Sequence, residues 1–163
     1  MLQDARLSYL VRQAQLTTYQ RLDQVLRGFG LTPAQYAVLA ILSGGSERLS
    51  SAALARRLGV TAQSANEIVA TLSTQQLVRR TDGAENRRVR QLQLTPRGRN
   101  LLGRCDAEVD GFEEAFFGAL SAPEQETLRR LLIRVIAADR NAQATDSLRL
   151  LSAAPAKRSG TRG

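Results

Sequence analysis

The apolar positions of this chain follow a helical period over most of its length and a strand period over one short stretch. From Asp4 to Gly28, with Phe29 just beyond, the residues Leu7, Val11, Ala14, Thr18, Leu22, Val25 and Phe29 recur near the helical repeat of about 3.6 residues, which predicts one long amphipathic helix. A second helix is predicted over Ala34 to Leu42, carrying Tyr36, Val38, Leu39 and Leu42 and ended by Gly44-Gly45. From Leu49 the pattern gives two short helices. Leu54, Leu58, Ala65, Ile68 and Leu72 face one another across a turn, with Gln63, Ser64, Asn66 and Glu67 on the opposite side of the second. The period then changes. Leu77 and Val78 open a strand, Gln91, Leu92, Gln93 and Leu94 alternate as a half-buried strand does, and Asp82-Gly83 marks a turn between them. Helical periodicity returns with Leu101, Leu102, Cys105, Val109, Phe112, Phe116 and Phe117, and again with Leu128, Leu131, Leu132, Val135 and Ile136.

The punctuation agrees with this order. Thr32-Pro33 and Thr95-Pro96 each place a capping hydroxyl before a proline at the first helical position, and Ser121 with Glu124 forms a capping box. Between the two short helices, Ala55 allows a close crossing, Gly59 ends the first helix and Thr61 caps the next. These elements make a helix-turn-helix followed by a two-stranded wing, in a mainly α fold with a small β component (α+β). Spacing alone leaves an ordinary antiparallel helix pair open.

Charge narrows the choice of partner. The chain has 23 Lys and Arg against 15 Asp and Glu, a net +8, with a sequence pI near 11.1, which favours a polyanion over a solvated like-charged surface. Arg79, Arg80, Arg87, Arg88 and Arg90 gather on the hairpin against Asp82 and Glu85, an arrangement suited to a phosphate backbone. Histidine is absent, Cys105 is the sole cysteine and Lys157 the sole lysine, so the residues offer little to catalysis, a metal or a disulfide. An enzyme is not expected, nor a cofactor. No apolar run nears the roughly 20 residues of a membrane span, and MLQDARLSYL lacks the basic start and apolar centre of a signal peptide, so a cytoplasmic location is expected.

Candidate contacts fall in layers. Ser50, Ser51 and Thr61 stand at helix N-termini, where amides and hydroxyls suit phosphates; ordinary capping is compatible with the same placement. Gln63, Ser64 and Asn66 are placed to read base edges, with plain surface polarity as the other account, while Glu67 on the same side would repel phosphate. Arg80, Arg87 and Arg90 would meet the backbone or a narrow minor groove. The first, fifth and sixth helices carry more apolar surface than a winged helix of roughly 60 residues can cover, which points to a second copy or to an intramolecular bundle.

Read from LTPAQY at Leu31, through LARRLGVTAQS, to LVRRT, ENRR and LQLTPRGR, the chain resembles the MarR family of winged-helix transcription regulators over roughly residues 5–140. The resemblance implies residues 1–30 and 96–140 as helical dimerisation regions, 31–95 as the DNA-binding winged helix, and 141–163 as a helix end with a flexible basic tail. It implies a homodimer on a near-palindromic duplex, its two reading helices about 34–36 Å apart. Arg88 matches the arginine that the family's wing inserts into the minor groove. The family commonly has an aspartate two residues earlier, where this chain has Asn86, an amide that accepts a hydrogen bond without charge assistance. The resemblance further implies a repressor relieved by a small aromatic or anionic effector, for which Tyr9, Arg12, Tyr19 and Tyr36, with Arg21, are candidates beside the alternative of core packing for Tyr36. Some members sense oxidants through a first-helix cysteine; Cys105 lies on the apolar stripe of the fifth helix and reads as a buried thiol. A protein-interaction module gripping an acidic partner, or a nonspecific architectural DNA binder, are the alternative functions.

Overall fold

The computed structural model describes residues 4–44, 49–82 and 90–152. Six helices and one hairpin follow in the order α1 (Leu7–Arg27), α2 (Pro33–Gly44), α3 (Ser51–Leu58), α4 (Ala62–Thr74), β1 (Val78–Asp82), β2 (Arg90–Leu94), α5 (Pro96–Phe117) and α6 (Ala122–Ser152). The chain divides into two compact units, Met1–Phe116 and Phe117–Gly163.

In the first unit the core joins Leu26, Leu31, Val38, Leu39, Leu54, Val69, Leu72, Leu77, Leu92, Leu94, Leu102, Cys105 and Val109. Helix α2 is its centre, packed on α1, α3, α4 and β2. The burial of α1 differs from the stripe its period suggests. Leu26 is its one fully buried residue, Leu22, Val25 and Phe29 are half-buried, and Leu7, Val11 and Ala14 are exposed. Among the described residues, α1 reaches the core through its last turns. On α4 the deepest contacts come from Ala65, Val69 and Leu72, with Ile68 half-buried, because the helix presents the i, i+4, i+7 row to α2 and α3.

Helix starts follow the capping chemistry. Thr32 Oγ1 accepts from the Gln35 amide at 3.2 Å while Gln35 Oε1 accepts from the Thr32 amide at 2.9 Å, a reciprocal box that satisfies two otherwise orphaned donors. Helix ends share a device of their own. Residues Gly30, Gly59 and Gln76 have φ of 69°, 67° and 60°, and the amides that follow them, those of Leu31, Val60 and Leu77, bond back to the carbonyls of Leu26, Ala55 and Leu72. Gln76 is the non-glycine member and bears the strain of a left-handed backbone with a Cβ.

The strands pair antiparallel with Val78 opposite Leu94, Arg79 opposite Gln93, Arg80 opposite Leu92, Thr81 opposite Gln91 and Asp82 opposite Arg90. Leu49 adds an isolated bridge, its carbonyl accepting from the Leu92 amide at 2.9 Å, so the residues just before α3 are tied to the hairpin. At the base of the hairpin, Thr95 Oγ1 donates to the Gln76 carbonyl at 2.7 Å, lies 3.2 Å from the Leu77 carbonyl, and accepts from the Gly98 amide at 3.0 Å. Gly98 is buried there, and a Cβ at this position would collide with the Leu77 carbonyl oxygen.

In the second unit Glu124 accepts from both the amide and the hydroxyl of Ser121, at 2.8 and 2.6 Å, and these bonds hold its carboxyl below the usual range. Helix α6 then runs unbroken to Ser152, past Asn141 where its apolar pattern fades, and it exposes Leu131, Leu132, Ile133, Val135 and Ile136. No helix among the described residues is long and apolar enough to cross a membrane.

Candidate nucleic-acid interface

Helices α3 and α4 form the helix-turn-helix, and the side chains at their starts are fixed by backbone chemistry. Ser50, in extended conformation, accepts from the Ala53 amide at 3.2 Å and caps α3; Ser51 is its first residue. Thr61 Oγ1 accepts from the Ser64 amide at 3.1 Å and caps α4. The Ser64 hydroxyl turns back to Thr61, with 2.9 Å between the two oxygens, and Ser64 is half-buried. Ser64, expected to face outward with Gln63 and Asn66, is half-buried and takes part in the cap.

The outward face of α4 carries Ala62, Gln63, Asn66, Glu67, Ala70, Thr71 and Thr74, all exposed. Gln63 Nε2 donates to Glu67 Oε1 at 3.0 Å, one helical turn away. Thr71 and Thr74 return their hydroxyls to the carbonyls of Glu67 and Ala70. Carrying the polar period one further turn along α4 would have added Ala70 and Thr71 to the residues of this face.

Among the hairpin arginines, Arg79 Nη2 donates to Gln93 Oε1 at 3.1 Å across the strand pair, and Arg80 is exposed. Arg90 opens β2, but its side chain lies outside the described residues. Gly83, Glu85, Asn86, Arg87 and Arg88 lie outside them too, as do Gly45 and the tail from Ala153 onward. Two further cations stand out. Arg56 and Arg57 occupy the exposed last turn of α3, beside the turn into α4, where they complement the helix dipole and add positive charge near the α4 N-terminus. The adjacent arginines in LARRLG were the available signal.

The remaining candidates separate. Tyr9, Arg12, Tyr19 and Arg21 are exposed on α1. Tyr36, on α2, is half-buried and donates its hydroxyl to Asp106 Oδ1 on α5 at 2.8 Å; burial first, then this bond and the Asp106 charge, push its phenol well above the usual tyrosine range. The structure thus gives Tyr36 a partner 70 residues away. Beside it, Arg104 lies 5.5 Å over the Phe29 ring, and Cys105 is fully buried, its thiol pushed up by burial and by Asp106 against the opposing pull of Arg104. A raised thiol pKa leaves little thiolate to react. Among the described residues no group of His, Cys, Asp and Glu is placed to hold a metal ion.

Comparison with known proteins places this architecture. The MarR family model matches residues 29–89, from just after α1 through β1 and up to the start of β2. The HTH-type transcriptional repressor Rv2887 of Mycobacterium tuberculosis is 33% identical over 129 residues, which cover 79% of this chain and 92% of the relative. The chain belongs to the MarR family. Its MarR fold agrees with the solved complex of Rv2887 with DNA at a TM-score of 0.65, with 31% identity, covering 81% of this chain and 98% of that one. The same protein in complex with salicylic acid gives a TM-score of 0.66 at 32% identity, covering 83% and 99%. The transcriptional repressor CouR bound to a 23-mer DNA duplex gives 0.75 at 26% identity, covering 80% and 92%. As a MarR protein the chain falls among transcriptional regulators, and the family model spans its helix-turn-helix and first wing strand.

Proposed function

We propose that this protein is a dimeric, sequence-specific DNA-binding repressor whose grip on a near-palindromic operator is relieved by a small aromatic acid. The observation that carries the reading is the exposed polar face of α4, held by the Thr61 cap and Ala65-Val69-Leu72 packing beside a hairpin that begins with Arg79-Arg80. In this reading α4 enters the major groove, the Ser50 and Thr61 helix starts meet phosphates with Ser51 alongside, Arg80, Arg87 and Arg90 meet the backbone, and Arg88 enters the minor groove. Two elements argue for a pair of copies. Leu7 of α1 is 80% exposed and Val135 of α6 is 68% exposed, within apolar stretches that a second copy would cover. The relative that binds salicylic acid supports an aromatic acid as the effector, with Tyr9, Arg12 and Tyr19 as exposed contacts and the Tyr36 ring behind its hydroxyl bond as another.

The test titrates the full chain against a palindrome from its own promoter region and against a scrambled duplex over a salt series. A specific regulator favours the palindrome by about a thousandfold or more. Equal affinity for both, falling steeply with salt, would identify a nonspecific binder, and no duplex binding at low salt an interaction module. Salicylate added to the specific complex should release the duplex.

A further inference from the structure

The hydrogen bond between Gln63 and Glu67 determines what α4 can read. A carboxylate only accepts hydrogen bonds, so the amide nitrogen of Gln63 is the atom that must face Glu67, and Gln63 Oε1 is left directed away from it as an acceptor. The second carboxylate oxygen of Glu67 is an acceptor as well. The hydroxyls of Thr71 and Thr74 are engaged with helix carbonyls and that of Ser64 pairs with Thr61, while Asn66 and the second N–H of Gln63 remain as donors on this face. Ala62 and Ala70 flank the pair on the exposed face, short enough to let it approach a groove floor. The outer surface of α4 is therefore rich in acceptors at its middle turn.

We propose that Glu67, oriented by Gln63, is a specificity-determining residue that accepts a hydrogen bond from the exocyclic amino group of a cytosine in each half-site. In the major groove the amino donors are cytosine N4 and adenine N6. Adenine presents the N7 acceptor next to its amino group and would repel a carboxylate, whereas cytosine presents a C–H there. Guanine and thymine offer only acceptors on their own edges, and against them the acceptor pair is left unsatisfied. A carboxylate in the groove also lies between two phosphate rows, so Glu67 lowers overall affinity while sharpening the choice of base. This inference rests on α4 being the helix that enters the groove.

The test selects duplexes from a randomised library with the full chain, then with Glu67→Ala and Glu67→Gln, which are expected to melt as the wild type does because position 67 is exposed. The wild type is expected to require cytosine at one position per half-site, and Glu67→Ala to lose that requirement there and nowhere else. On a duplex whose cytosine at that position lacks the amino group, wild-type affinity should fall roughly ten- to a hundredfold, while Glu67→Ala binds both duplexes alike. If the wild type selects a sequence but Glu67→Ala selects the same one with the same penalty on the altered duplex, the assignment is wrong and the repressor reading stands. The assignment is also wrong if the position that relaxes is not cytosine. If the wild type selects no sequence at all, both fall.

Discussion

Tyr36 and Asp106 form a part-buried side-chain bond between α2 and α5, and its removal has a defined sign with pH. Because the folded phenol is held above its unfolded value, its contribution is complete below the unfolded pKa of about 10 and drains away as pH rises beyond it. Tyr36→Phe should cost about 0.5–1.5 kcal/mol at neutral pH by urea denaturation, and the gap to the wild type should narrow in alkali. A constant gap up to pH 11 would refute the role of the hydroxyl, since about pH 10 is where an unfolded tyrosine ionises. Gly98 makes a steric prediction of another kind. Gly98→Ala must displace the Leu77 carbonyl and should cost about 1–3 kcal/mol, read as a lower midpoint in the same titration. These two residues also mark where sequence reading stops. Tyr36 and Asp106 are 70 residues apart with no shared period, and Gly98 lies inside a capping motif that explains its neighbours without it. Gln76 is likewise silent in sequence, since glutamine carries no turn signal at its left-handed position.

At the scale of the element, what was legible is what local chemistry dictates. Thr32, Thr61 and Thr95 accept from the amide three residues on, as the residue order suggests, Glu124 closes the box at Ser121 by accepting from its amide and hydroxyl, and the strands fall within a residue of where the apolar pattern put them. The interior of α4 was less so, because Ile68 and Val69 are adjacent apolar residues and only the packing of α2 against the helix decides that Val69 goes deepest. Leu49 pairs through a single bridge, too short a segment to leave a period. Thr61→Ala should destabilise the chain by about 0.5–2 kcal/mol, since it frees the Ser64 amide and the Ser64 hydroxyl together. Gln63→Ala, on the exposed face, should stay within about 0.5 kcal/mol of the wild type and show its effect in DNA binding. Calorimetry on both variants separates the structural from the reading role; equal losses would mean that Gln63 supports the helix.

For the whole molecule the expectation concerns assembly. Val135→Arg places a charge in the exposed apolar stretch of α6 and should shift sedimentation from dimer to monomer, with DNA binding weakened as the second reading head is lost. Arg88→Ala should weaken DNA binding while leaving the dimer intact. If Arg88→Ala fell to monomers, or Val135→Arg sedimented as the wild type does, the division of labour between helices and wing would be wrong. The net +8 of the chain predicts steep salt dependence for either form.

The Thr95 side chain touches the last residues before β1 and the first turn of α5 at once. A hydroxyl shared in this way couples the two like a clasp: a rotation of the long helix about its own axis carries the root of the hairpin with it.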